Sequence, residues 1–272
     1  MRPTNSLPAT GLVLLGAYLA SGWPWPRATW IAAGAMWAIT SFGYVTNDLH
    51  DVEADRVNKP DRPLPSGRVR PSSARLAAAV LAGLAIGLAS AIDGLAVSAA
   101  ILALLLLVLY NVCLKSTVLL GNALVAILSG MALGVGSYTV GEPWALVWPG
   151  VLVSLFILAR EILKTIEDVV GDRRAGVRTV ATEWGVRCAG QLFAGVVMCF
   201  AVLSLAPLYG GLTVRRGAGL SIPYLTMVLV IDVGLAYSAL VVGRAPTPAN
   251  ARVGLRISKV GYALGLLALL MA

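Results

Sequence analysis

Between Asn47 and Gly67 the chain reads NDLHDVEADRVNKPDRPLPSG. Asn47, Asp48, Asp51, Glu53 and Asp55 crowd into nine positions, Arg56, Lys59 and Arg62 follow, and Pro63 and Pro65 stop any helix. The spacing of four between Asn47, Asp51 and Asp55 sets three oxygen-bearing side chains on one helical face. Stacked like charges repel, so such a face needs a cation among its oxygens. Donors of this kind select hard divalent ions, Mg²⁺ above all, which are commonly shared with the phosphates of a substrate. The plain alternative is a solvated acidic helix end. Recurrence of the pattern later in the chain counts against it.

That recurrence is REILKTIEDVVGDRRAGVRT, from Arg160 to Thr179. Lys164, Asp168 and Asp172 again stand four apart, and both Asp51 to Asp168 and Asp55 to Asp172 are offsets of 117. A repeated device predicts two pseudo-repeated halves, with two acidic faces converging on one metal and phosphate site. A third polar cluster, Tyr110, Asn111 and Lys115, precedes Gly121 and Asn122. Lys115 there reads equally as a lysine snorkelling from a helix end or as a phosphate contact. His50, the sole histidine, cannot build a zinc site alone and reads as a solvated neighbour on the wrong helical face. Cys113, Cys188 and Cys199 are scattered and odd in number, so they read as small apolar fillers. Asp232 falls in mid-span, where an acid is costly, and the expected partner is Lys259 or Arg256 in a structural ion pair.

The elements that position these residues are apolar. Of 272 residues 58% are hydrophobic and only 12% charged, with a mean hydropathy of +0.83. A soluble domain carries roughly 25% charged residues, so the chain reads as an all-α integral membrane protein. Nine runs are long enough for a bilayer core, at 7–22, 28–46, 72–91, 95–113, 117–138, 144–163, 186–208, 220–242 and 253–271. The first is read as part of the mature protein rather than a cleaved signal. With the amino terminus inside, alternate crossing puts 18 of the 21 Lys and Arg on the inner side and leaves Arg27, Arg215 and Arg216 outside. That bias obeys the positive-inside rule and places the carboxyl terminus outside, in a multi-pass protein of the cell membrane with its polar site on the cytoplasmic side. The net charge of +8 then marks a basic inner face suited to anionic lipids or phosphates. Trp23, Trp25, Trp30, Trp144 and Trp148 fall near outer ends, as interfacial anchors do. Gly83/Gly87 and Gly130/Gly134 have the GxxxG spacing of close helix packing. The stretch 206–219 reads as an outer loop. No linker separates soluble domains, so 1–272 reads as a single domain, with no nucleic acid or protein partner indicated.

Mg²⁺ held by two acidic faces, with Lys and Arg beside it, makes a pocket for a diphosphate and lowers the barrier to breaking its C–O bond. At a membrane boundary this suits a charged head with a lipid tail. An allylic prenyl diphosphate fits, because its carbon departs as a stabilised cation and an apolar interior excludes the water that would quench it. A transporter is the reading from another class, and the placement of the acids at one face rather than the midplane argues against it.

The two stretches NDLHDVEADRVNKPDRPLPSG and REILKTIEDVVGDRRAGVRT resemble the paired aspartate-rich signatures of the UbiA superfamily of intramembrane prenyltransferases. Tyr110–Asn111, Leu114–Lys115 and Gly121–Asn122 resemble that family's segment between the motifs, and Arg2, Pro3 and Asn5 its opening. The resemblance spans essentially the whole chain. It implies nine helices around a central cavity, Mg²⁺ dependence, and transfer from a prenyl diphosphate donor to a lipid or aromatic acceptor. Carried over by position, Asn47, Asp51, Asp55, Asp168 and Asp172 are the implied metal ligands, the four aspartates being catalytic. Lys115, Lys164, Arg62, Arg160, Asn111 and Tyr110 are the implied diphosphate contacts. The second motif is similar to the archaeal branch that makes digeranylgeranylglyceryl phosphate, an ether-lipid precursor. It departs from it at Thr165, where an acid is expected, and Lys164 replaces the first acid of the DxxxDxxxD form. A 4-hydroxybenzoate polyprenyltransferase of quinone synthesis is the alternative. The loops 50–70 and 166–184, with Gly67, Gly171 and Gly176, read as lids.

Overall fold

Inside a bilayer each backbone N–H and C=O must be satisfied within its own segment, so long apolar runs become helices. The computed structural model describes residues 6–58, 60–205 and 221–271. Arg2, Pro3, Asn5, Lys59, Arg215, Arg216 and the expected outer loop 206–219 lie outside the described residues. The elements are α1 (Leu7–Ser21), α2 (Arg27–His50), α3 (Val52–Asn58), α4 (Pro71–Ser90), α5 (Gly94–Leu109), α6 (Leu120–Thr139), α7 (Val147–Glu167), α8 (Val169–Arg174), α9 (Val186–Ser204), α10 (Ile222–Arg244) and α11 (Pro248–Leu270). A π-helical turn at Tyr110–Leu114 continues α5, and another at Val180–Trp184 precedes α9. No strand occurs among the described residues.

The chain is a multi-pass membrane protein. Among the described residues six helices are long and apolar enough to cross a bilayer, namely α4, α5 with its π-turn, α6, α9, α10 and α11. α1 is short at 15 residues. α7 carries Arg160, Glu161, Lys164 and Glu167 in its last two turns, so its apolar stretch ends early. Each of the nine expected runs nonetheless overlaps one helix.

The chain divides into two compact units. The first holds 1–115 and 135–143. At its centre Ala38, Ile39, Phe42 and Val45 of α2 pack on Ala74, Ala78, Ala85 and Ala89 of α4 and on Ala100 and Leu104 of α5. Alanines at four- and seven-residue spacing let α4 lie close against α2, which is how helices associate where lipid offers no hydrophobic drive. At the ends away from the acidic stretch, the Thr29 and Thr139 hydroxyls bond at 2.8 Å. There too the Tyr138 hydroxyl donates to the Asp93 carboxylate, which caps α5 by accepting from the Ala96 N–H at 2.8 Å.

The second unit holds 116–134 and 144–272. Its core joins α7, α9 and α10 through Phe156, Ile162, Leu163, Phe193, Phe200, Ile231 and Leu235. The Phe156 and Phe200 rings meet edge-on with centroids 5.8 Å apart.

Three expectations need correction. A Cβ added at Gly83, Gly87 or Gly134 would meet nothing within 4 Å, so those spacings are not contacts. The close approaches are made by Gly130, where a Cβ would lie 2.2 Å from the Gly150 carbonyl oxygen, and by Gly136, where it would lie 2.0 Å from that of Val13. Asp232 forms no ion pair with Lys259 or Arg256: one of its oxygens accepts from the Ser204 hydroxyl at 2.9 Å and the other has no partner. The reason is the rotation of α11, which buries Gly254, Ser258 and Gly261 and turns Arg256 and Lys259 outward. Cys113 and Cys199 are exposed, so only Cys188 sits as a partly buried filler.

Candidate active site

The first motif begins at the end of α2. The helix stops at His50 because Asp51 takes φ −87°, ψ 1°, and α3 starts one residue later. The bend keeps the four-residue bonding, since the Asp51 N–H donates to the Asn47 carbonyl at 3.0 Å and the Asp55 N–H to that of Asp51 at 2.8 Å. Asn47 Nδ2 donates to Asp51 Oδ2 at 2.9 Å. Lys115 completes the group: its Nζ lies 2.5 Å from both Asp51 carboxylate oxygens and 3.1 Å from Asn47 Oδ1.

The π-turn is what aims Lys115 there. An inserted residue widens the helix for one turn, a device common at functional sites, and the Lys115 N–H reaches back to the Tyr110 carbonyl at 2.8 Å. Asn111, only 8% exposed, pins the turn by donating from Nδ2 to the Thr46 hydroxyl at 3.0 Å. Tyr110 is half-buried beside it. His50 is exposed and its ring Nδ1 bonds the Thr46 carbonyl at 2.9 Å, off the site as expected.

Asp55 does not join Asn47 and Asp51. It is 6% exposed and accepts from Arg62, whose guanidinium also lies 3.7 Å from Asp48. The bend at Asp51 is the physical cause, because it takes α3 out of line with α2. Arg62 is held by the following loop, where the Gly67 N–H donates to the Leu64 carbonyl at 3.1 Å with Gly67 at φ +75°, a conformation suited to glycine. The Arg56–Glu53 pair nearby is exposed and contributes little.

The second motif repeats the backbone device. Asp168 ends α7 at φ −92°, ψ 3° and α8 follows directly. Its N–H donates to the Lys164 carbonyl at 2.9 Å, and the Asp172 N–H to that of Asp168 at 2.9 Å. α8 closes on a Schellman cap, with Gly176 at φ +68° and the Val177 N–H bonded to the Asp172 carbonyl at 2.9 Å. Ile162, Leu163 and Ile166 are fully buried and fix the rotation of α7. Asp168 is thereby left exposed, with Arg160, Lys164 and Asp172 half-buried. Lys164 Nζ sits 2.5 Å from Glu161 Oε1, and Arg252 Nε 3.4 Å from Glu167 Oε1.

Within the first unit, then, Asn47, Asp51 and Lys115 come together, while Asp55 and Arg62 form a separate buried pair. Sequence reasoning passed over Thr46, which holds Asn111, and Glu161 and Glu167, which hold Lys164 and Arg252. The three-residue step from Glu161 to Lys164 was a visible signal for the first of these pairs. No three acidic, His or Cys side chains converge among the described residues. The donors fit Mg²⁺ all the same. They are hard amide and carboxylate oxygens, and the Lys115 ammonium already stands as a cation among three of them.

Comparison with known proteins places the chain in a family. A digeranylgeranylglyceryl phosphate synthase of Halobacterium salinarum is 41% identical over 207 residues, covering 76% of this chain and 75% of that protein. A solved structure of a digeranylgeranylglyceryl phosphate synthase in membranes superposes with a TM-score of 0.83 at 26% identity, over 98% of this chain and 94% of that one. The fold is shared with a UbiA homolog from Archaeoglobus fulgidus bound to GPP and Mg²⁺, with a TM-score of 0.66 at 16% identity over 98% and 97% of the two chains. The family model for UbiA prenyltransferases matches residues 9–260, and the chain belongs to that family.

Proposed function

We propose that this prenyltransferase moves a geranylgeranyl group from geranylgeranyl diphosphate to the free hydroxyl of geranylgeranylglyceryl phosphate. The C–O bond to the diphosphate breaks, an ether bond forms at the same carbon, and the hydroxyl proton balances the charge of the pyrophosphate released. The observation that carries the reading is that each motif, taken by itself, bends at an aspartate and carries cations beside its acids: Lys115 on Asp51 and Arg62 on Asp55 in the first, Lys164 and Arg160 earlier on the helix that Asp168 ends in the second. The acceptor is supported by the 41% identity to a synthase named for that product.

Asn47, Asp51, Asp55, Asp168 and Asp172 would hold Mg²⁺, which when bound neutralises charge on the departing pyrophosphate. Lys115, Lys164, Arg62 and Arg160 supply positive charge to the diphosphate, and Tyr110 and Asn111 orient it from the π-turn. The apolar helices exclude water from the departing carbon.

The same reading takes residues 1–272 as one catalytic domain of nine spans in two pseudo-repeated halves around a central cavity. The amino terminus and active site lie on the cytoplasmic side and the carboxyl terminus outside. The repeated bend, with backbone angles agreeing within 5° at Asp51 and Asp168, supports the repeat. The distribution of Lys and Arg supports the orientation. Purified protein given Mg²⁺ and geranylgeranyl diphosphate is expected to alkylate geranylgeranylglyceryl phosphate far faster than 4-hydroxybenzoate. Equal or reversed preference in a product assay overturns the acceptor, and no pyrophosphate release with either overturns the donor.

A further inference from the structure

Lys115 stands in an unusual place for a group meant only to meet a diphosphate. Its ammonium touches three oxygens, both of Asp51 and the amide oxygen of Asn47, which are the oxygens proposed to hold metal. Arg62 offers Asp51 no competing charge, being committed to Asp55 and Asp48. The Lys115 and Asp51 side chains are 35% and 25% exposed, so solvent screens the pair only in part. A divalent ion on those oxygens and an ammonium within 3.1 Å of them repel strongly. The backbone of Lys115 is fixed by the π-turn and by Asn111, yet its four-carbon stem lets the charge swing without moving a helix.

We infer that Lys115 is a built-in counter-cation that free Mg²⁺ has to displace, and that the metal therefore enters together with the diphosphate. The diphosphate gives the displaced ammonium a new anionic partner, so metal and diphosphate bind with positive coupling. Metal alone meets a site already neutralised. The inference rests on Asn47 and Asp51 being metal ligands, as proposed above.

The test is binding of Mn²⁺ to the full-length protein in detergent, followed by its electron paramagnetic resonance signal, with and without inorganic pyrophosphate. Without pyrophosphate, Lys115→Gln is expected to bind Mn²⁺ at least about tenfold more tightly than wild type, with Lys115→Arg within about threefold of it. Wild type is expected to gain at least about tenfold on adding pyrophosphate. Wild type that binds with pyrophosphate while Lys115→Gln shows no gain without it overturns the counter-cation and leaves the metal site standing. No protein-bound Mn²⁺ under any condition overturns both. Because Lys115→Gln could fail to fold, acetylation of wild-type lysines by acetic anhydride, read by mass spectrometry, supplies a second measurement. Saturating Mg²⁺ alone is expected to raise labelling at Lys115, and unchanged labelling counts against displacement.

Discussion

The buried pair of Asp55 and Arg62 offers a measurement of stability that does not depend on turnover. Arg62→Met keeps most of the apolar stem and removes the charge, leaving a carboxylate with 8% of its side chain exposed and, among the described residues, no other ion-pair partner. Breaking a fully buried pair in this way costs about 3–5 kcal/mol. Arg62 retains 19% exposure, which lowers the expectation to about 2–3 kcal/mol, and the loss of the longer contact to the more exposed Asp48 at 3.7 Å adds little. In a chain of this size each kcal/mol moves the melting temperature by about 2–4 °C, so the loss is roughly 5–10 °C in detergent. Asp55→Asn alone is expected to lose less, and the double variant to lose less than the sum of the two by about 1 kcal/mol or more. A melting temperature for Arg62→Met within about 1 °C of wild type, or strict additivity in the cycle, would refute the pair as a structural tie.

Asp51→Ala and Asp168→Ala are each expected to abolish prenyl transfer while keeping the helical circular dichroism of wild type, and retained turnover in either removes that residue from the site. Gly130→Ala places a Cβ 2.1 Å from the Ser154 hydroxyl oxygen and 2.2 Å from a backbone carbonyl. The expected loss is about 1–3 kcal/mol, against no loss for Gly134→Ala in open space, both read from thermal unfolding. The Tyr138 hydroxyl, and after it the Ala96 N–H, hold the Asp93 carboxyl below its usual value of 3.8. A depressed folded value means that the stabilisation is complete above that pH and fades as pH falls below it. Wild type should accordingly lose more melting temperature than Asp93→Asn between pH 5 and pH 3, and parallel curves would count against the contact.

The helices were legible because a membrane leaves the chain little choice: an apolar run has to satisfy its own backbone, and turn residues mark its ends. The expected runs accordingly fall on helices, although α1 is short and α2 continues four residues beyond its expected end, to His50. The acids and cations of both motifs were legible by type and spacing. Their grouping was not, because a single residue, Asp51, changes the direction of the chain and sends Asp55 to Arg62. The π-turn at Tyr110–Leu114 has no periodic signature, so the reach of Lys115 to Asp51 could not be read from residue order. Packing by glycine was likewise misplaced. The GxxxG pattern gives spacing along one helix, whereas contact depends on what the neighbouring helix presents, as Gly150 does to Gly130.

The indoles of Trp23, Trp25 and Trp30 have centroids 4.8, 5.2 and 6.3 Å apart and planes inclined by 56° to 82°. At such separations the ring transitions couple, and a fixed, inclined triad gives a chiral signal in the near ultraviolet that a disordered chain lacks. The turn between α1 and α2 thus carries its own optical label, remote in the first unit from Asp51 and Lys115. Loss of that signal in a variant reports damage to the packing of α1 on α2. Its persistence in an inactive Asp51 or Lys115 variant separates a chemical defect from a folding one without any added probe.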